Sequence, residues 1–193
     1  MFFSNGAIVQ QLNMPTDYIS SSCVNYLGIN AFYQHPLCGE SDSEARLLSE
    51  EVLFIKTDDE LFLPLEFISN SDLLYRYVLA CVRLNIPIRV LFIESTYPFE
   101  KWKETLPSMR FIGYEYCEIP FDSQIITDLD WYEPFKKFHN ILNEYGLFAT
   151  LEDALRFKSE YDYEFDKGHI GDGEMSTYVC KVYEVDINKM LET

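Results

Sequence analysis

The sequence predicts an α+β fold in which a mixed, largely antiparallel sheet packs against one buried helix (71–84) and against C-terminal helices at 131–145 and 151–160. Three observations carry this reading. Residues 71–84 repeat their apolar positions with a helical period. Ile86 to Glu94 and Met109 to Ile119 are short apolar runs of strand length. From residue 131 the pattern turns helical and then closes on a strand, Thr177 to Val185.

Taken in order, residues 22–33 alternate loosely and read as a strand, and Ser41 to Glu50 as a short helix. Val52 to Lys56 and Leu61 to Phe67 flank Thr57-Asp58-Asp59-Glu60, the pattern of a hairpin. Pro64 cannot donate to a ladder, so the second run is expected at an edge or a bulge. Asn70 or Ser71 caps the next helix, which places Leu74, Tyr77, Val78 and Cys81 on one face with Leu73, Ala80 and Leu84 beside them. Arg76 and Arg83 form its one wet edge, so this helix is expected to be buried almost all round. Ile86 to Glu94 is apolar enough for an interior strand. A small helix is expected around Phe99 to Leu106.

Trp131, Phe135, Phe138, Leu142 and Tyr145 are spaced 4, 3, 4 and 3, one face of an α-helix, with Pro134 in its first turn and Gly146 as its C-cap. Thr150 and Asp153 resemble a capping box for the helix that follows. With no internal repeat and no Gly/Ser linker, residues 1–193 read as a single globular domain.

The net charge is −17, yet 48% of the chain is hydrophobic, too apolar for an acidic disordered segment. Counting by segment makes the charge local. Residues 40–60 carry −6, residues 115–133 carry −6 and residues 160–174 carry −5; elsewhere twelve acids balance twelve bases. The second and third tracts are also aromatic. In Tyr161-Asp162-Tyr163-Glu164-Phe165-Asp166 an extended backbone would put rings on one side and carboxylates on the other. Rings offer desolvated area and charges steer a partner, so these tracts are the candidate partner-binding surface. Its residues are Glu115, Glu118, Asp122, Asp128, Asp130, Trp131, Tyr132, Glu133, Asp162, Tyr163, Glu164 and Asp166.

Catalytic and metal signatures fail on spacing. His35 and Cys38 offer half a zinc site without a second close pair. Read as a calcium loop from Asp162, the sequence has Lys167 and Gly173 where the EF-hand needs Gly and Glu, leaving only a weak non-EF site to consider. Glu115, Glu118 and Asp122 with His139 supply acid and base groups, but strand alternation puts the two glutamates on opposite faces. Cys117 has no neighbouring cation to activate it. No Walker loop, GxGxxG, GxSxG or HExxH pattern occurs. No enzyme activity and no cofactor are expected on these grounds.

Five widely spaced cysteines, Cys23, Cys38, Cys81, Cys117 and Cys180, suit a reducing compartment. The first basic residue is Arg46, which does not suit a secretory leader, and the expected location is cytoplasmic, without membrane association. The absence of a basic stripe disfavours direct nucleic-acid binding. The expected function is therefore an acidic inhibitor, an immunity-type protein neutralising a basic partner such as a bacterial nuclease toxin. The rival expectations are a DNA mimic that occupies a DNA-binding protein, and a small enzyme or ligand-binding domain with an acidic cleft.

Overall fold

The computed structural model describes residues 1–12, 37, 40–56, 62–64, 68, 70–96, 102, 105–118, 122–123, 129, 132–170 and 177–192, with the backbone alone at 5, 52–56, 62–64, 118 and 122–123. It is α+β, as the sequence predicts. Strands β1 (Phe3–Gln11), β4 (Ile88–Ser95), β5 (Met109–Glu118), β6 (Asp122–Ser123) and β7 (Thr177–Val185) form one sheet in the order β1-β4-β7-β5-β6. A separate hairpin pairs β2 (Phe54–Lys56) with β3 (Phe62–Pro64), so Pro64 lies in an edge strand as expected. Every described pairing is antiparallel. No described helix is long and apolar enough to cross a membrane.

The expected strand at 22–33 lies outside the described residues. β1 was not anticipated: Ser4, Asn5, Gly6, Gln10 and Gln11 dilute its apolar alternation. It forms because Ala7 and Val9 reach the core while its backbone pairs with β4, and Ala7 bridges Ile68 on its other side. β4 is interior, between β1 and β7, as its apolar run requires.

Helices α1 (Ser43–Leu53) and α2 (Ser71–Arg83) cover one end of one sheet face. Asp42 starts α1 by accepting from the Glu44 and Ala45 N–H groups at 3.1 and 3.0 Å. Asn70 starts α2 by accepting from Leu73 N–H at 2.8 Å. Asn85, at φ 55°, ends it in the left-handed conformation, with Ile86 N–H bonded to Cys81 C=O at 2.9 Å. Leu74 and Val78 are fully buried, each contributing about 1.5–3 kcal/mol by leaving water.

Burial of α2 is nevertheless one-sided. Tyr75, Leu79 and Val82 stay exposed, which corrects the expectation of burial all round. The wet edge has a structural use: Arg83 pairs with Asp42 and Glu44, and Arg76 with Glu51. Part of the first acidic tract is thus spent on fastening α1 to α2.

Two further corrections concern the middle of the chain. Trp102, Thr105 and Leu106, the described residues of the segment expected to be a small helix, are not helical. The helix expected at 131–145 is a 3₁₀ helix confined to Glu133–Ile141. It stops early because the next residues fold back on β5. Asn143 donates to Ile112 C=O at 2.7 Å and accepts from Leu147 N–H at 3.1 Å, and Leu142 and Tyr114 both bridge Phe148. Gly146 does adopt a positive φ of 69°, but in this turn rather than at a helix end.

Helix α3 (Leu151–Asp166) is capped by Thr150 as expected but runs six residues past the predicted end. A short α4 (Ile187–Leu191) follows β7. The 3₁₀ helix and α3 cover the β5 side of the sheet face that carries α1 and α2. Leu91, Ile93, Ile112, Cys117, Cys180 and Val182 form a third buried cluster on the opposite face.

Candidate functional site

The second and third acidic tracts meet around an aromatic core. In a 3₁₀ helix positions i and i+3 eclipse, so Phe135, Phe138 and Ile141 share one edge. Helix α3 presents Ala154, Phe157 and Tyr161, spaced 3 and 4, to that edge. β5 adds Tyr116, and the turn after the 3₁₀ helix adds Phe148. Phe157 stands at the centre, its ring centroid 5.0–5.7 Å from those of Phe138, Phe135, Phe148 and Tyr116.

Polar groups at the rim tie the tracts together. The Tyr116 hydroxyl lies 2.9 Å from Asp162 Oδ1 and 2.5 Å from Thr177 Oγ1. A phenol has one proton to give, so it donates to the carboxylate and accepts from the threonine. Burial raises the Tyr116 pKa, keeping the phenol neutral. Lys158 pairs with the other Asp162 oxygen at 2.7 Å. A few residues along, Tyr132 donates to Glu164 Oε2 at 2.5 Å, and His169 Nδ1 lies 2.7 Å from the same oxygen. The Tyr132 hydrogen bond, and then that of His169, hold the Glu164 carboxyl below its ordinary pKa.

That depression gives a pH signature. A lowered carboxyl pKa contributes stability above the ordinary value, and the contribution is lost as pH falls through the folded-state pKa. Tyr132→Phe should therefore raise the Glu164 pKa and weaken this acid-side step, as followed by NMR titration of its carboxyl carbon. An unmoved titration would mean that the bond does not form in solution.

The sequence-predicted residues separate into distinct groups. Tyr132, Asp162 and Glu164 are half-buried and hydrogen-bonded at the junction. Glu133, Tyr163 and Asp166 are exposed; Glu133 pairs with Lys136 at 2.5 Å, and Lys167 sits 5.5 Å from the Tyr163 ring centroid. Glu115 is fully buried, with Oε1 3.1 Å from the Tyr116 amide nitrogen, and so is removed from the candidate surface. Backbone register places Glu118 opposite Asp122 at the same sheet end as Thr177. Asp128, Asp130 and Trp131 lie outside the described residues.

The alternation expected in 161–166 is corrected, because the segment is helical. Tyr161 turns into the core while Tyr163 is 59% exposed, so the rings do not share a side. Among the described residues no group of His, Cys, Asp and Glu is arranged to hold a metal ion. Cys81, Cys117 and Cys180 are buried and form no disulfide, and burial raises the Cys81 pKa to about 12. Comparison with known proteins found no matching family model, no similar curated protein and no similar solved structure.

Proposed function

We propose that this chain is a protein-binding domain that captures a basic partner at the end of the sheet where its second and third acidic tracts join. The biological class we favour is an immunity-type inhibitor that masks the substrate-binding face of a basic toxin, such as a bacterial nuclease. One observation carries the reading: Tyr116–Asp162 and Tyr132–Glu164, pairs 46 and 32 residues apart in the chain, bind the two tracts into one junction. Exposed Glu133, Tyr163 and Asp166 belong to the same tracts.

Rigid aromatic backing matters here. A carboxylate fixed by packing loses less side-chain entropy on binding than one on a mobile loop. The surrounding charge accelerates encounter with a cationic protein and sets its register. Arg76 and Arg83 pair with Glu51, Asp42 and Glu44 of the first tract, which favours the second and third tracts as the capturing surface.

Co-purification from the native cell tests the proposal. The tagged protein should retain a stoichiometric basic protein at low salt and release it as ionic strength rises. Failure to retain such a protein, or retention indifferent to salt, would sink the reading.

A further inference from the structure

The helix-bearing face of the sheet carries a second feature where its two helical clusters part. Strand register lines up Ser4, Glu94, Lys181 and Tyr114 as one transverse row across β1, β4, β7 and β5. The next row on the same face is Phe92, Tyr183 and Phe111. The register shift between Phe111 and Gly113 returns Tyr114 to the face of Phe111, and their ring centroids lie 5.0 Å apart. Tyr183 packs against the α1–α2 cluster, while Phe2 and Tyr114 pack against that of the 3₁₀ helix and α3. Between the clusters the strip stays partly open: Phe111 is 42% exposed, and Glu94 and Lys181 are half-buried.

The polar row is incompletely satisfied. Glu94 and Lys181 face one another at 3.7 Å, beyond hydrogen-bond reach. Tyr183 donates to Glu94 Oε2 at 2.9 Å and Ser4 to Oε1 at 3.5 Å, which leaves acceptor positions on the carboxylate unfilled. Lys181 Nζ lies 4.4 Å from the Phe2 ring centroid and makes no hydrogen bond among the described residues. The Tyr114 hydroxyl makes none among them either.

Trp102 flanks both rows. Its backbone N–H bonds Ser4 C=O at 3.1 Å, and its ring stands edge-on to Phe92 at 5.4 Å. Its indole Nε1 is the one buried side-chain polar atom without a hydrogen bond among the described residues. A buried donor left over calls for an acceptor that the chain does not supply. Three unfilled donors thus surround one aromatic strip, in a chain whose net charge of −17 makes acceptors plentiful.

We propose that this strip binds a free α-amino acid with an apolar side chain. Its ammonium would sit on Glu94, its carboxylate on Lys181 and the Tyr114 hydroxyl, and its side chain against the Phe111 and Tyr183 rings. An α-amino acid carries both charges on one carbon, a spacing that suits a carboxylate and an ammonium 3.7 Å apart. Each charge then gains charge-assisted hydrogen bonds that the Glu94–Lys181 pair does not make by itself. The rings add desolvated area for the side chain. None of these residues is among the exposed Glu133, Tyr163 and Asp166 of the junction, so the site is separate from partner capture.

The test titrates the whole protein with L-phenylalanine, N-acetyl-L-phenylalanine, L-phenylalaninamide and glycine, following backbone amide and indole N–H shifts by NMR. The proposal expects saturable shifts with L-phenylalanine, centred on Glu94, Tyr114 and Lys181 and reaching the Trp102 indole. Acetylation removes the ammonium and amidation the carboxylate, so each analogue should bind about tenfold more weakly or worse. Lys181→Gln should weaken L-phenylalanine binding by a similar factor. Absence of saturable shifts with L-phenylalanine, equal binding of either analogue or of glycine, or unchanged affinity in Lys181→Gln would overturn the proposal. The analogue comparison needs neither a variant nor a protein partner, so it stands even if Lys181→Gln does not fold or partner capture fails.

Discussion

Phe157→Ala is expected to destabilise the protein by about 3–5 kcal/mol, the usual cost of emptying a buried phenylalanine site. Phe157 is fully buried, and rings from β5, the 3₁₀ helix, the following turn and α3 itself converge on it. Its loss removes apolar burial and the edge-to-face contacts with Tyr116 and Phe138, at 77° and 88°. The surrounding rings are held from four directions and cannot collapse into the space. Urea unfolding should show a lower midpoint with an unchanged slope, since the surface exposed on unfolding hardly alters. Leu155→Ala, at a position 47% exposed on the same helix, should fall within about 0.5 kcal/mol of wild type. A loss below about 1 kcal/mol for Phe157→Ala would mean that the core is loose and the junction poorly backed.

Gly113→Ala carries the second largest expected effect, about 2–4 kcal/mol, from overpacking and backbone strain together. A methyl group at Gly113 would stand 2.6 Å from Leu147 Cβ and 3.0 Å from Phe148 C=O. The residue lies at a register shift in β5 with φ +152°. That shift lets the turn after the 3₁₀ helix dock, through Tyr114 N–H to Phe148 C=O at 2.8 Å and its reciprocal bond at 2.9 Å. Gly168→Ala is the matched control. Its φ is +70° with nothing within 4 Å, so it should cost only the strain of about 1–2 kcal/mol. Hydrogen exchange at Tyr114 and Phe148 should rise in Gly113→Ala and stay unchanged in Gly168→Ala. Equal effects of the two substitutions would contradict the close packing.

These two sites show where the sequence was readable. The elements α2, β4, β5 and β7 announce themselves through apolar period and end signals, such as Asn70 before Leu73 and the run Ile86 to Glu94. β1 was hidden because an edge strand needs few apolar residues, and Ala7 and Val9 are a weak signal among Ser, Asn and Gln. Leu142 and Tyr145 fit an α-helical period by coincidence, so the sequence pattern extends past the 3₁₀ helix that forms at Glu133–Ile141. A tertiary contact, Asn143 to Ile112, decides where that helix stops.

For the site, the tracts were legible as charge but their arrangement was not. Ala154, Phe157, Tyr161 and Phe165, spaced 3, 4 and 4, carry the signal that residues 161–166 continue a helix. The alternation of rings and acids in the same six residues masked it. Burial of Glu115 had no local signal, and neither did the alignment of Glu94, Lys181 and Tyr114, which depends on strand order.

The acidic junction is the central claim, and charge reversal tests it most directly. Glu133→Lys with Asp166→Lys should be compared with Glu50→Lys with Glu144→Lys; all four residues are exposed, and both pairs change net charge equally. Affinity for the basic protein that co-purifies with the chain would be measured for each, with thermal unfolding to confirm the fold. The account predicts that the first pair weakens binding about tenfold or more, chiefly through slower association, while the second pair stays close to wild type. Equal losses in the two variants would show that only net charge matters, and would contradict a binding surface at the junction.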